Sequence, residues 1–109
     1  MIKIFPYSTN MTIDIVIERS HLPNKKYNAV IDGKKTIPFG AKGMSDFTKH
    51  KDEERKQRYI DRHKKNENWS DPKTAGFYSR WLTWNKPALE QSARDINRKL
   101  KNAKVKLNI

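Results

Sequence analysis

Three histidines are the residues of this 109-residue chain best suited to proton transfer or metal binding, and their spacing does not bring them together. His50 and His63 are thirteen residues apart, which puts them on different faces of a continuous helix, and His21 falls in a predicted turn. A histidine–asparagine–histidine nuclease site can be assembled from His50, His63 and either Asn66 or Asn68, but the strand–turn–helix order that it requires is missing. We interpret the histidines as surface or partly packed side chains.

Other patterns that carry catalysis or cofactor binding are also missing from the sequence. It contains no HExxH motif, no DxD pair with metal spacing and no glycine-rich phosphate loop, and the segment from Gly40 to Gly43 is short enough to be a turn. The absence of cysteine excludes disulfides, thiolate zinc sites and cysteine nucleophiles. We expect a protein that is not an enzyme and has no catalytic, cofactor-binding or metal-binding residues.

Positive charge is the strongest chemical signal in the composition. The chain has 24 Lys and Arg against 12 Asp and Glu, a formal net charge of +12, with 35% hydrophobic residues. A small, strongly cationic chain with a thin core predicts an anionic partner, whether an acidic protein surface or nucleic acid. The predicted partner-binding cations are Lys49, Lys51, Arg55, Lys56, Arg58, Arg62, Lys64, Lys65, Arg80, Arg94, Arg98, Lys101, Lys104 and Lys106.

Aromatic residues concentrate between positions 69 and 84 and have two interpretations. Phe77, Trp81 and Trp84 are spaced i, i+4, i+7, which is typical of one face of a helix packed in a core. The same rings could stack on bases or anchor an interface. The helical spacing favours the core for Phe77 and Trp81, whereas Trp69 and Trp84, near the predicted helix ends, are predicted to be shared with a partner.

The predicted secondary structure that positions these cations and aromatic residues indicates an α+β fold. It consists of a small N-terminal antiparallel β-meander followed by two to three helices and an extended C-terminal tail. Alternating apolar residues from Met11 to Ile17 and an Asp32-Gly33 turn predict three strands within residues 11–39. Apolar spacing and capping residues predict helices at about 46–65, 72–84 and 87–101. We expect an N-terminal arm at 1–10, with a short strand at 2–5, and a single domain at 11–100. The tail at 102–109 alternates, so it is either an added strand or an arm that pairs with another chain.

Hydrophobic targeting or anchoring segments are not expected. No run of eighteen apolar residues is present, which predicts no membrane span. The apolar run that begins at Met1 is interrupted by Pro6, so we expect no signal peptide.

A run of short motifs occupies the part of the chain between Phe39 and Leu82. The motifs are Phe39-Gly40-Ala41-Lys42-Gly43, Ser45-Asp46-Phe47, His50-Lys51-Asp52, Glu67-Asn68-Trp69, Asp71-Pro72, Thr74-Ala75-Gly76-Phe77 and Ser79-Arg80-Trp81-Leu82. This run resembles a small basic family of unassigned function found in large nucleocytoplasmic DNA viruses, including chlorella-virus-like and giant viruses. The resemblance covers roughly residues 27–100 and implies a viral source, synthesis in the host cell cytoplasm and a virion as destination. No functional residue is known in that family, so none is transferred.

Two functions of different classes fit these observations. The first is a minor structural, capsid-associated protein that bridges or stabilises capsomers of the virion shell, with viral capsid proteins or another acidic protein surface as partners. The second is a basic DNA-binding protein that coats or condenses viral DNA. The thin core and the terminal segments favour the first hypothesis, whereas the net charge is compatible with both.

Overall fold

A four-stranded sheet organises the computed structural model, which describes residues 12–109. Its strands are β1 (Ile13–Arg19), β2 (Lys25–Ile31), β3 (Lys35–Ala41) and β4 (Ala103–Asn108), in the order β3-β2-β1-β4. The first three strands form the predicted antiparallel meander. The arm expected at residues 1–10, the short strand at 2–5 and Met11 lie outside the described residues.

The turn between β2 and β3 follows directly from its two central residues. Asp32 and Gly33 both have positive φ angles, of 52° and 68°, as the two central residues of a type I′ turn require, and the Lys34 N–H donates to the Ile31 carbonyl (2.9 Å). Ile31 pairs with Lys35, so the connection has three residues, from Asp32 to Lys34. Gly tolerates this conformation without cost, and Asp is one of the few other residues that adopts it readily. The Asp32 carboxylate also accepts a hydrogen bond from the Asp14 backbone N–H (2.9 Å), which ties the turn to β1.

The C-terminal segment is the main correction to the predicted architecture. Residues 102–109 do not form an extended tail: Ala103–Asn108 is strand β4, which pairs in parallel with β1 of the same chain, Ile13 opposite Ala103. The alternation buries Ala103 and Val105 on the same sheet face as Ile15 and leaves Lys104 exposed. Of the two alternatives that the sequence left open, the added strand is correct.

The helical regions are more broken than the sequence predicted. The region expected at 46–65 forms α1 (Phe47–His50) and α2 (Glu53–His63), separated by Lys51 in the left-handed conformation (φ 56°). The region expected at 72–84 begins later, capped by Thr74, and consists of α3 (Ala75–Tyr78) and a π-helical turn (Ser79–Thr83). The last helix, α4 (Leu89–Lys99), lies within the predicted range 87–101.

The helices that follow β3 cover one face of the sheet. Ile15, Ile17 and Phe39 of the sheet are fully buried against Tyr78 and Leu82. Phe77 is also buried, and Trp81 is partly buried against the same core, which agrees with their predicted roles. The combination of a largely antiparallel sheet with helices on one side confirms the α+β class.

Candidate functional site

Five exposed cations lie on α2 and next to its two ends. Arg55, Arg58 and Arg62 are three and four positions apart, which keeps them on one face of the helix. Lys51 precedes α2 and is in the left-handed conformation, and Lys65 follows the last helical residue, His63. None of the ion pairs among residues 12–109 involves any of these five cations. This cationic ridge consists of Lys51, Arg55, Arg58, Arg62 and Lys65.

The other predicted cations of this region are placed differently. Lys64 lies 3.9 Å from Asp61, and Lys49 is exposed on α1. Lys56 points inward: its ammonium donates to the Asn85 carbonyl (2.7 Å) and lies 4.8 Å from the centre of the Phe47 ring. Burial lowers the pKa of Lys56. Lys56 therefore connects α2 to the turn before α4 and is not part of the ridge.

Trp84 and Trp69 take part in contacts within the chain. The Trp84 ring stacks on Tyr59 with ring centres 4.4 Å apart and planes 5° apart, and His50 lies 5.3 Å from Trp84. The Trp69 indole donates to the Glu67 carboxylate (2.8 Å). Both tryptophans remain partly exposed, so a partner could contact their outer edges.

Arg80 lies between tryptophan rings and is half-hidden from solvent. Its guanidinium carbon is 4.4 Å from the centre of the Trp81 ring and 5.5 Å from that of Trp69, and Nη1 donates to the Trp84 carbonyl (3.0 Å). Burial lowers the pKa of Arg80. These contacts make Arg80 a packing element of the helical layer.

The remaining predicted cations lie on two further surfaces. Arg94, Arg98 and Lys101 are exposed on and just after α4, with Arg98 2.7 Å from the Asp95 carboxylate. Lys104 and Lys106 alternate with buried residues of β4 and so lie on the sheet face opposite the helices. The structure thus does not bring the predicted partner-binding residues into one site, and the ridge is the largest coherent group among them.

A cleft beside the ridge contains charged residues that the sequence analysis missed. It has a volume of about 410 Å³ and lies between the end of β3, α2 and the segment from Ala75 to Trp84. Its lining includes Lys25, Lys26, Asp46, Arg62, His63 and Glu67. The only signal for this cleft in the local sequence is the four-residue spacing of His63 and Glu67. Lys26 and Asp46 are distant in the sequence, and only the fold brings them together.

A histidine–carboxylate pair forms one side of this cleft. His63 Nδ1 is 2.9 Å from Glu67 Oε2, and Trp69 donates to the other carboxylate oxygen. Because an ionised carboxylate only accepts hydrogen bonds, Nδ1 carries a proton and the second ring nitrogen, Nε2, is left for another partner. Gly76 permits this arrangement, since a Cβ atom there would lie 2.7 Å from Glu67 Oε1.

A buried ion pair forms another side of the cleft. Lys26 Nζ is 2.6 Å from Asp46 Oδ2, and both side chains are at most 10% exposed. The other oxygen of Asp46 accepts from the Thr48 backbone N–H (3.0 Å) and caps α1. Each charge of this pair is therefore matched within the protein.

The described part of the chain offers no metal cluster: no group of three or more His, Asp or Glu side chains within residues 12–109 is arranged to hold an ion. In the same range, no helix has the length and apolar character needed to cross a bilayer.

Comparison with known proteins shows a similarity to a protein family for which no function has been assigned. No curated protein and no solved structure matches the chain. The match that is found runs from β1 to the end of α2 and includes the three ridge arginines. It supports the expected similarity to a family of unassigned function, while a viral source stays a prediction. Over residues 15–63, the chain is similar to the Family of unknown function (DUF5754).

Proposed function

We propose that this protein is a minor structural, capsid-associated protein of a large DNA virus. In this role it bridges or stabilises capsomers by docking the cationic ridge on acidic surfaces of capsid proteins. The observation that carries the proposal is the ridge itself, three exposed arginines on one face of α2 flanked by two exposed lysines, none of which has an acidic partner within residues 12–109. At 1.5 Å per residue, the arginines extend over roughly 10 Å of the helix, and Lys51 and Lys65 lengthen the cationic surface beyond its two ends.

The charges next to the ridge favour a protein partner over a nucleic acid. Helical spacing places Glu54 and Asp61 beside the ridge on the solvent side of α2, and both are exposed. A phosphate backbone would repel these carboxylates, whereas a protein surface can present basic groups to them and acidic groups to the ridge. The viral setting rests on the resemblance of the motifs between Phe39 and Leu82.

The alternative function, DNA binding that coats or condenses a viral genome, is favoured by the net charge of +12. It makes a different quantitative prediction. The logarithm of the association constant for duplex DNA would fall linearly with the logarithm of the salt concentration, with a slope of about −0.9 for each phosphate neutralised. Absence of duplex binding at about 100 mM salt would eliminate this alternative.

A matched pair of charge-reversal variants tests the capsid proposal. R55E/R58E/K65E changes three ridge cations, whereas K34E/K35E/K42E changes three exposed lysines near the β2–β3 hairpin and the end of β3. Each triple variant lowers the net charge from +12 to +6, because every substitution changes it by two. Binding of the full chain to purified capsid protein of the source virus is measured by biolayer interferometry.

We expect the ridge variant to bind at least about tenfold more weakly, because several charge-assisted contacts are lost together, and the control to change less than about threefold. Equal losses in the two variants would show that net charge alone determines binding and would overturn the role of the ridge. Recovery of the protein only in the DNA-containing core, after the shell has been removed from particles, would overturn the capsid assignment.

A further inference from the structure

The cleft beside the ridge has an excess of positive charge once its internal pairs are counted. Lys26 and Asp46 neutralise each other at 2.6 Å. The two carboxylate oxygens of Glu67 are already bonded to the His63 ring and the Trp69 indole. Lys25 and Arg62 remain, and neither takes part in an ion pair among residues 12–109. Among the charged side chains of the lining, three lysine and arginine cations face two carboxylates, so the charged groups left to contact a ligand are cationic.

His63 adds a third nitrogen to this set. Its Nδ1 is engaged by Glu67, so Nε2 is the nitrogen with no partner among the described residues. The ring is held from a second side by Tyr59, which stacks on it with ring centres 4.4 Å apart. The orientation of the imidazole is thus fixed by the protein before any ligand arrives, which reduces the entropy lost on binding.

We propose that this cleft binds a phosphate group, with Lys25, Arg62 and Nε2 of His63 as its ligands. Lys25 of β2 and Arg62 of α2 donate to phosphate oxygens. With the proton on Nδ1, Nε2 of His63 is an acceptor, and it accepts from the hydroxyl that a phosphate monoanion or dianion retains near neutral pH, whereas ionised acetate has no such hydroxyl. The volume of about 410 Å³ lies within the roughly 300–1,000 Å³ of small-molecule sites in proteins. The cleft can therefore hold a phosphate together with the molecule that carries it.

The cleft is distinct from the capsid-docking function proposed above, although Arg62 belongs to both surfaces. The last turn of α2 is the negative end of the helix dipole, which repels an anion. The contacts of phosphate with Arg62 and His63 must exceed this repulsion. For inorganic phosphate alone we accordingly expect a dissociation constant in about the millimolar range.

The test is a heteronuclear NMR titration of the full chain with sodium phosphate at constant ionic strength, with sodium acetate as a parallel titrant. Saturable shifts are expected at backbone amides of the cleft, such as those of Gly40, Ser45 and Gly76, with at least about threefold weaker binding of acetate. Equal affinities for phosphate and acetate would overturn the assignment to phosphate. Shifts that do not saturate, or that follow the ridge and not the cleft, would overturn the site.

Single substitutions with matched controls identify the ligands. K25Q and H63Q should each weaken phosphate binding by about fivefold or more, because each removes a charge-assisted or directed hydrogen bond. The controls K73Q and H21Q change exposed residues outside the cleft and should shift the dissociation constant less than twofold. Equal effects in variants and controls would refute the proposed ligands. All four leave the ridge intact, so this result is independent of the capsid-binding test.

Discussion

Asp95 is the charged residue whose contribution to stability can be worked out most fully. Its side chain on α4 is only 3% exposed and is held by three groups: Asn85 (2.9 Å), Arg98 (2.7 Å) and Lys99 (3.2 Å). Burial alone would raise the pKa of the carboxyl group. The hydrogen bonds from Asn85, Lys99 and Arg98 outweigh burial and lower the pKa of Asp95 to about 2.

The sign and size of the effect follow from linkage. The folded pKa of Asp95, about 2, lies below the reference value of 3.8, so the ionised carboxylate stabilises the fold above pH 4. A shift of nearly two units corresponds to about 2 kcal/mol in the free energy of unfolding. Most of that contribution is lost as the pH falls from about 4 to 2.

Asp95→Asn mimics the protonated carboxyl group and should remove this contribution. We expect it to lower the free energy of unfolding by about 2 kcal/mol at pH 7, with most of the difference from wild type gone at pH 2. The free energies of unfolding of wild type and Asp95→Asn are measured at several pH values by urea unfolding monitored through tryptophan fluorescence. Asp61→Asn is the control, since Asp61 is 56% exposed and its pair with Lys64 is long, 3.9 Å. A difference between wild type and Asp95→Asn that stays constant between pH 7 and pH 2 would refute the reasoning.

Two further substitutions test how the sheet edge and the cleft are built. Asn97 bonds both backbone groups of Val105 on the outer edge of β4 (2.7 and 3.1 Å), so Asn97→Ala should cost about 1–2 kcal/mol and increase self-association in analytical ultracentrifugation. Unchanged stability and a monomeric variant would contradict this. Gly76→Ala should destabilise by about 1 kcal/mol in urea unfolding by displacing Glu67, but stabilise by up to about 1 kcal/mol in a Glu67→Ala background. An equal change in the free energy of unfolding with and without the Glu67 side chain would argue against a steric clash between a side chain at position 76 and Glu67.

Strands, turns and helices that depend on residues close together in the sequence could be predicted from local patterns. The alternation of β1 and the Asp32-Gly33 turn predicted the meander, and apolar spacing predicted the helix at about 87–101, in which Ala93 and Ile96 are buried. The pairing of β4 with β1 could not be predicted from local patterns, because about ninety residues separate Ile13 from its partner Ala103. The same alternation is compatible with a free arm until the partner strand is known.

The candidate site shows the same division. Helical spacing aligns Arg55, Arg58 and Arg62 once the bounds of α2 are known. The left-handed Lys51 that separates α1 from α2 has no local signature such as a glycine, so the start of α2 could not be predicted. The inward direction of Lys56 and the stacking of Arg80 on Trp81 depend on tertiary packing. Long cationic side chains can lie along apolar surface or extend into solvent, so residue type alone cannot separate these two placements.

The distribution of the acidic residues explains why the positive charge is left on the outside. Asp46 and Asp95 are buried with cationic partners, and Glu67 is held by His63 and Trp69, so these three carboxylates orient groups within the fold. Acids used in this way cannot screen an exposed helix face. No ridge cation forms an ion pair within residues 12–109. A partner that brings carboxylates to the ridge therefore gains attraction without having to break an existing ion pair.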